Sequence, residues 1–288
     1  CKRYRDVTAV EDLNLTVRQG ELFALLGVNG AGKTTTIKML SCLTQPSGGE
    51  AWLLGHSIVH APNEVKRLIG VSPQETAVAP NLTVEENLRL MGGIYGFTKE
   101  RQRQKIEEMC TRFGLSSVAK KPAGKLSGGW QRRLSIAMAM AGRPKVLFLD
   151  EPTVGLDVLA RRALWELIRG ALRHMTIVLT THSMEEAEAL SDRIGVMAAG
   201  RLRACGAAAE LISASGFLSG AWMPLEQMGT FGRVCRALPY YPAVRVGRAV
   251  LNGAWTRENG RDLAVTAAWA ALALGLAIWA QKRAMRVK

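Results

Sequence analysis

The run "LFALLGVNGAGKTTTIKML" (Leu22 to Leu40) sets the architecture of the whole chain. It opens with five consecutive apolar residues, the length of a strand and the composition of one covered on both faces. Glycines follow at 27, 30 and 32, after which Ile37, Met39, Leu40 and Leu43 recur at helical spacing. The segment therefore predicts a buried strand, a tight loop and a helix. Inside it, "GVNGAGKT" (Gly27 to Thr34) fits the spacing GxxxxGK[ST] in the strand-loop-helix setting that this pattern requires. Glycines let the backbone of Gly27, Val28, Asn29, Gly30, Ala31 and Gly32 curl so that successive N–H groups face phosphate oxygens. The helix opening at Gly32 adds the positive end of its dipole. Lys33 is placed to reach the β- and γ-phosphates of a bound nucleotide, the Thr34 hydroxyl to ligate Mg²⁺, and Thr35 follows in the first turn.

Two further apolar runs extend this unit into a layered α/β fold. "VLFLD" (Val146 to Asp150) and "TIVLTT" (Thr176 to Thr181) read as buried strands, and "LARRALWELIRGALRH" between them reads as a helix. Strand, helix, strand in that order implies parallel pairing. Where the first of these strands ends stand Asp150 and Glu151. An aspartate there can join the Mg²⁺ shell, and a following glutamate can polarise water for in-line attack on a γ-phosphate. Between Leu82 and Arg143 the strand signal fades, and "TVEENLRLMGGIYG", "KERQRQKIEEMCTRFG" and "SGGWQRRLSIAMAMAG" predict three helices of a separate subdomain, about 75–143.

"LSGGWQRR" (Leu126 to Arg133) specifies the class. Ser127, Gly128 and Gly129 open a helix whose N–H groups and serine hydroxyl form a second anion site, which is surplus for one triphosphate unless two molecules meet. In this the chain resembles the ABC ATPase family over residues 4 to about 210, with the motifs in order. The resemblance implies a P-loop NTPase core with a parallel sheet, an N-terminal antiparallel β subdomain and an inserted helical subdomain. It also implies a head-to-tail homodimer that sandwiches two ATP molecules with Mg²⁺, each between the phosphate loop of one subunit and the signature of the other. On this reading Tyr4 in "KRYRD" stacks on adenine, Gln74 in "VSPQE" senses Mg²⁺ and the attacking water, Asp157 in "VGLD" contacts the partner subunit, and His182 in "LTTHS" contacts the γ-phosphate. The catalytic set is then Glu151, His182 and Gln74, and the Mg²⁺ set Thr34, Gln74 and Asp150. Trp130 departs from the glutamine commonest at its position.

Composition narrows the partners. The formal net charge is +14, with 28 basic and 21 acidic side chains in residues 1–215 against 10 and 3 in residues 216–288. No stripe of interleaved basic and aromatic residues accompanies that surplus, which argues against nucleic acid. The five cysteines are scattered, without a CxxC pair, as in a reduced cytosolic protein. No signal peptide opens the sequence, and its first residue is Cys1 rather than Met, as expected if the start lies further upstream.

The composition shifts to Ala, Gly and Ser after Gly200, placing a boundary near residue 215. Residues 217–253 resemble the segment before the last transmembrane helix of type-two ABC permeases. "LAVTAAWAALALGLAIWA" (263–280) then reads as a membrane helix of ~27 Å at about 1.5 Å per residue. The expectation is an ATPase domain (1–215) fused to a short α-helical, membrane-type permease fragment (216–288). It works with a type-two permease at the cytoplasmic face of the cell membrane and powers export of a drug, antibiotic or lipid. Two alternatives stay open: a non-transport ABC ATPase, and a truncated fusion that binds ATP without transporting.

Overall fold

The computed structural model describes residues 1–171, 175–207 and 259–271. The chain begins with an antiparallel hairpin, β1 (Lys2–Tyr4) and β2 (Val7–Val10), followed by β3 (Leu22–Leu26) and α1 (Lys33–Leu40). A second antiparallel hairpin, β4 (Trp52–Leu53) and β5 (His56–Ser57), leads through α2 (Pro62–Leu68) to β6 (Ile69–Ser72). Three helices come next: α3 (Val84–Ile94), α4 (Lys99–Arg112) and α5 (Gly128–Met140). The chain then alternates through β7 (Val146–Asp150), α6 (Val158–Ala171), β8 (Thr176–Thr181), α7 (Met184–Leu190), β9 (Arg193–Ala198) and β10 (Arg201–Ala207).

Six strands form the central sheet in the order β10-β9-β3-β8-β7-β6. From β9 to β6 all neighbours are parallel, as the strand-helix-strand pattern requires. The sheet is nevertheless mixed, and this corrects the expectation of a parallel one. β10 returns antiparallel along β9. Ala199 and Gly200, with φ of 50° and 76°, make the two-residue turn between them. So short a connection can only join antiparallel neighbours, whereas a parallel pair needs a crossover.

Every residue of β7 and β8 is buried, as are Phe23 to Leu26 of β3. Alternation sends Phe23, Leu25, Phe148 and Val178 into one core with Ile37 and Met39 of α1. Each such side chain contributes about 1.5–3 kcal/mol relative to exposure, against about 1 kcal/mol for a typical helix cap. The other sheet face is covered by helices that include α5, whose residues Leu134 to Met140 are all buried. This helix packs on α3 but also on β6, β7 and α6, so the third helix of the expected subdomain lies on the sheet itself. Because β3, β8 and β7 are parallel and in register, with Leu26 beside Thr181 and Thr180 beside Asp150, their carboxyl ends open on one edge. That edge is where open α/β sheets bind ligands.

The chain divides into two compact units, Cys1–Ala208 and Ala209–Lys288. In the second, the described residues form a helix over 259–271 that includes Arg261 and Asp262. No helix among the described residues is long and apolar enough to cross a membrane. The expected span at 263–280 is helical as far as residue 271, and its remainder, like the permease-like stretch at 217–253, lies outside the described residues.

Candidate functional site

The loop after β3 is held from two sides. Gly27 N–H donates to the Thr181 carbonyl at 3.1 Å, and Gly200 N–H donates to the Ala31 carbonyl at 3.1 Å. Gly30 and Gly32 are left-handed, with φ of 80° and 101°. A Cβ on Gly32 would stand 2.4 Å from the Ala9 carbonyl, and one on Gly27 would stand 2.4 Å from the Met197 carbonyl. Backbone thus closes on the loop where a side chain would block it. Gly32 is also the N-cap of α1 and brings no side-chain acceptor, which leaves first-turn N–H groups to an anion. Val28, Asn29 and Gly30 are exposed at the loop tip, Ala31 is buried, and Thr34 and Thr35 are half-buried.

Charges converge directly behind this loop. Lys33 Nζ donates to the carbonyls of Gly27 (2.7 Å) and Val28 (3.2 Å) and pairs with Glu151 Oε1 at 3.1 Å. Glu151 Oε2 lies 2.8 Å from His182 Nδ1, so the carboxylate bridges a buried lysine and a half-exposed imidazole. Asp150 Oδ1 accepts from Thr34 Oγ1 at 3.1 Å and from the buried Thr180 hydroxyl. Removing one partner from a buried pair such as Lys33–Glu151 leaves an uncompensated charge, which makes these residues interdependent. Glu151 carries a left-handed backbone, φ 47°, a conformation that costs an ordinary residue energy and persists only where neighbours enforce it. Thr180 enforces it: the Glu151 N–H donates to the Thr180 carbonyl (3.1 Å) and hydroxyl (3.0 Å).

The other predicted residues stand on separate elements. Tyr4, on β1, is 45% exposed, and Lys2 Nζ lies 4.9 Å from its ring centroid. Gln74 is exposed in the loop after β6. Ser127, the N-cap of α5, and Gly128 are exposed, and Gly129 is half-buried. Asp157 caps α6, its Oδ1 accepting from Ala160 N–H at 2.8 Å. The starts of α5 and α6 lie close together, since a Cβ on Gly129 would come 3.2 Å from the Ala160 Cβ.

Three supporting residues escaped the sequence reading. Thr180 is one. Glu186 of α7 is buried and accepts from Trp165 Nε1 at 3.2 Å. Burial pushes its carboxyl above the usual range, while the neighbouring Thr181, Thr153 and Trp165 pull it back. Arg132 of α5 is also buried; desolvation lowers its pKa, and the charges of Asp150 and Glu186 oppose that shift. The signal for Arg132 was present: residues 132, 135, 136 and 139 form one helical stripe, and Ser135, Ile136 and Ala139 are buried beside it.

Comparison with known proteins places these features in a family. The family model described as ABC transporter matches residues 10–154. Over 218 residues the chain is 42% identical to ABC transporter A family member 2 of Arabidopsis thaliana, covering 75% of this chain and 22% of that protein. It is 42% identical to the human phospholipid-transporting ATPase ABCA3 over 70% of this chain and 12% of that one. Against the Escherichia coli probable multidrug ABC transporter ATP-binding protein YbhF, identity is 41% over 71% of this chain and 36% of that one. The chain thus spans between 12% and 36% of the length of these relatives. A solved ATP-binding cassette, dimeric in a post-hydrolysis state with ADP and Pi, matches with a TM-score of 0.63 at 26% identity over 70% of this chain and 91% of that one.

Proposed function

The chain belongs to the ABC transporter family as an ATP-binding cassette, and from that premise we propose that it binds ATP with Mg²⁺ and hydrolyses it to power transport through a membrane permease. The observation that carries this reading is the bonded series Lys33–Glu151–His182 beside Thr34–Asp150, at the open edge of the sheet. Triphosphate oxygens compete with Glu151 for the Lys33 ammonium. As Lys33 turns to phosphate, Glu151 is released to accept a proton from an attacking water, with His182 orienting its other oxygen. Thr34, Asp150 and Gln74 offer only oxygen donors, the set that Mg²⁺ takes with one carboxylate, phosphates and waters. A Mg²⁺ held there would neutralise charge on the phosphate oxygens. Tyr4 is read as the platform for adenine.

Assembly follows from the second anion site. Ser127 and Gly128 at the helix tip are exposed on the same chain as a complete phosphate loop, and a like cassette is dimeric in its solved structure. Two copies head to tail would each present that tip to the other's nucleotide, with Asp157 beside it. Export is favoured by the permease-like resemblance of residues 217–253, and drug-like or lipid substrates by the names of the relatives. On this reading the domain ending near residue 215 works at the cytoplasmic face of the cell membrane.

Turnover tests the proposal. Glu151→Gln keeps the shape and removes the base, so ATPase activity of the full chain falls about 100-fold or more while ATP binding persists. Unchanged turnover in this variant refutes the assignment.

A further inference from the structure

The loop that carries Gln74 is laced to the helix that carries Ser127, Gly128 and Gly129. Ser72 Oγ lies 2.9 Å from Ser135 Oγ, Arg132 donates from its two terminal nitrogens to the carbonyls of Pro73 and Gln74, and Thr76 Oγ1 donates to Gln131 Oε1 at 3.4 Å. The partners run in opposite order, 72 with 135, 73 and 74 with 132, 76 with 131, so the segment lies antiparallel along the first two turns of α5. Gln131 Nε2 in turn donates to the Leu126 carbonyl at 3.1 Å, just before the serine-glycine tip.

The central rung differs from the outer two. Hydroxyl and amide rungs are neutral, whereas Arg132 is a buried cation that binds the backbone of two consecutive residues. Charge-assisted bonds are roughly twice as strong as neutral ones, and a planar guanidinium fixes orientation as well as distance. Its grip falls on main-chain carbonyls, so the exposed Gln74 side chain is aimed by Arg132 without being occupied by it. Arg132 lies five positions after Ser127, about 7.5 Å along the helix axis, with no break in α5 between them.

We propose that Arg132 is a positioning residue that makes the serine-glycine helix and the Gln74 loop one mechanical body. A displacement of the helix tip on meeting a partner's nucleotide reaches Gln74 in the same subunit through this side chain. The proposal deepens the reading above, since what Gln74 then does with Mg²⁺ and water rests on it. The clamp itself does not.

Hydrogen exchange on the full chain separates the two. Arg132→Lys keeps the charge but cannot hold both carbonyls, and it raises exchange together in residues 74–78 and in the first two turns of α5, by about tenfold for one lost charge-assisted bond. Exchange that stays as in the wild type, or that rises in one segment alone, overturns the clamp, whatever the ATPase does. Should Arg132→Lys not fold, Ser135→Ala and Gln131→Ala remove the outer rungs and are held to the same joint rise.

Magnesium titration of turnover supplies the readout that a purely structural role would not move. Arg132→Lys raises the half-saturating Mg²⁺ concentration several-fold, and adds nothing when Gln74→Ala is already present. A uniform loss of rate at unchanged Mg²⁺ dependence, or an additive double variant, counts against Arg132 as the residue that aims Gln74. Absence of Mg²⁺-dependent hydrolysis in the wild type would overturn the functional reading and leave exchange to judge the clamp.

Discussion

Lys33 and Glu151 hold each other at 3.1 Å with both side chains 5% exposed, and the chemistry at the residue scale starts from that economy. A buried cation and a buried anion satisfy one another until a stronger anion arrives, and a triphosphate is such an anion. Behind them stands the buried Glu186: burial raises its pKa, hydrogen bonds from Thr181, Thr153 and Trp165 oppose that rise, and the nearby Glu151 charge adds to it. The sign of its effect on stability follows. A carboxyl whose folded pKa exceeds the unfolded one stabilises the fold most while protonated, and that contribution is lost as pH rises from the ordinary carboxyl range through the raised value. Glu186→Gln therefore melts a few degrees above the wild type at pH 8, and the difference narrows as pH is lowered toward the ordinary carboxyl range. A gap that is constant across that range in thermal scans would show that Glu186 does not titrate in this way.

At the scale of elements, one residue serves a helix and an expected interface at once. Asp157 caps α6 through the Ala160 N–H and is exposed. Losing such a cap costs about 1 kcal/mol, whereas asparagine caps as well as aspartate does. Asp157→Ala is thus expected to lower thermal stability and Asp157→Asn to preserve it, while both reduce turnover if the charge meets a partner subunit; equal melting of the two variants would contradict the cap. The pair also illustrates what could be read in advance. β3, its loop and α1 were legible because their signals are contiguous: an apolar run, glycines at fixed offsets, then helical periodicity. β10 was missed although Ala199-Gly200 is a two-residue turn, because the Ala and Gly content after Gly200 read as a boundary. The helical stripe places Arg132 on the buried face of α5 but does not name the carbonyl that it binds 58 residues away, and Glu186 was missed because its partner Trp165 lies 21 residues away.

For the whole molecule, the six-stranded sheet brings five predicted residues into direct contact, Lys33, Thr34, Asp150, Glu151 and His182, and leaves the Ser127–Gly129 tip on another helix. That division is the reason a second copy enters the proposal: in it, the loop and the helix tip of one chain would face different nucleotides. The most direct test is the mass of the Glu151→Gln chain in solution. With ATP and Mg²⁺ it should elute on a sizing column at twice the mass it shows without nucleotide. Elution at the same, single-chain mass under both conditions, with ATP demonstrably bound, would contradict the sandwich.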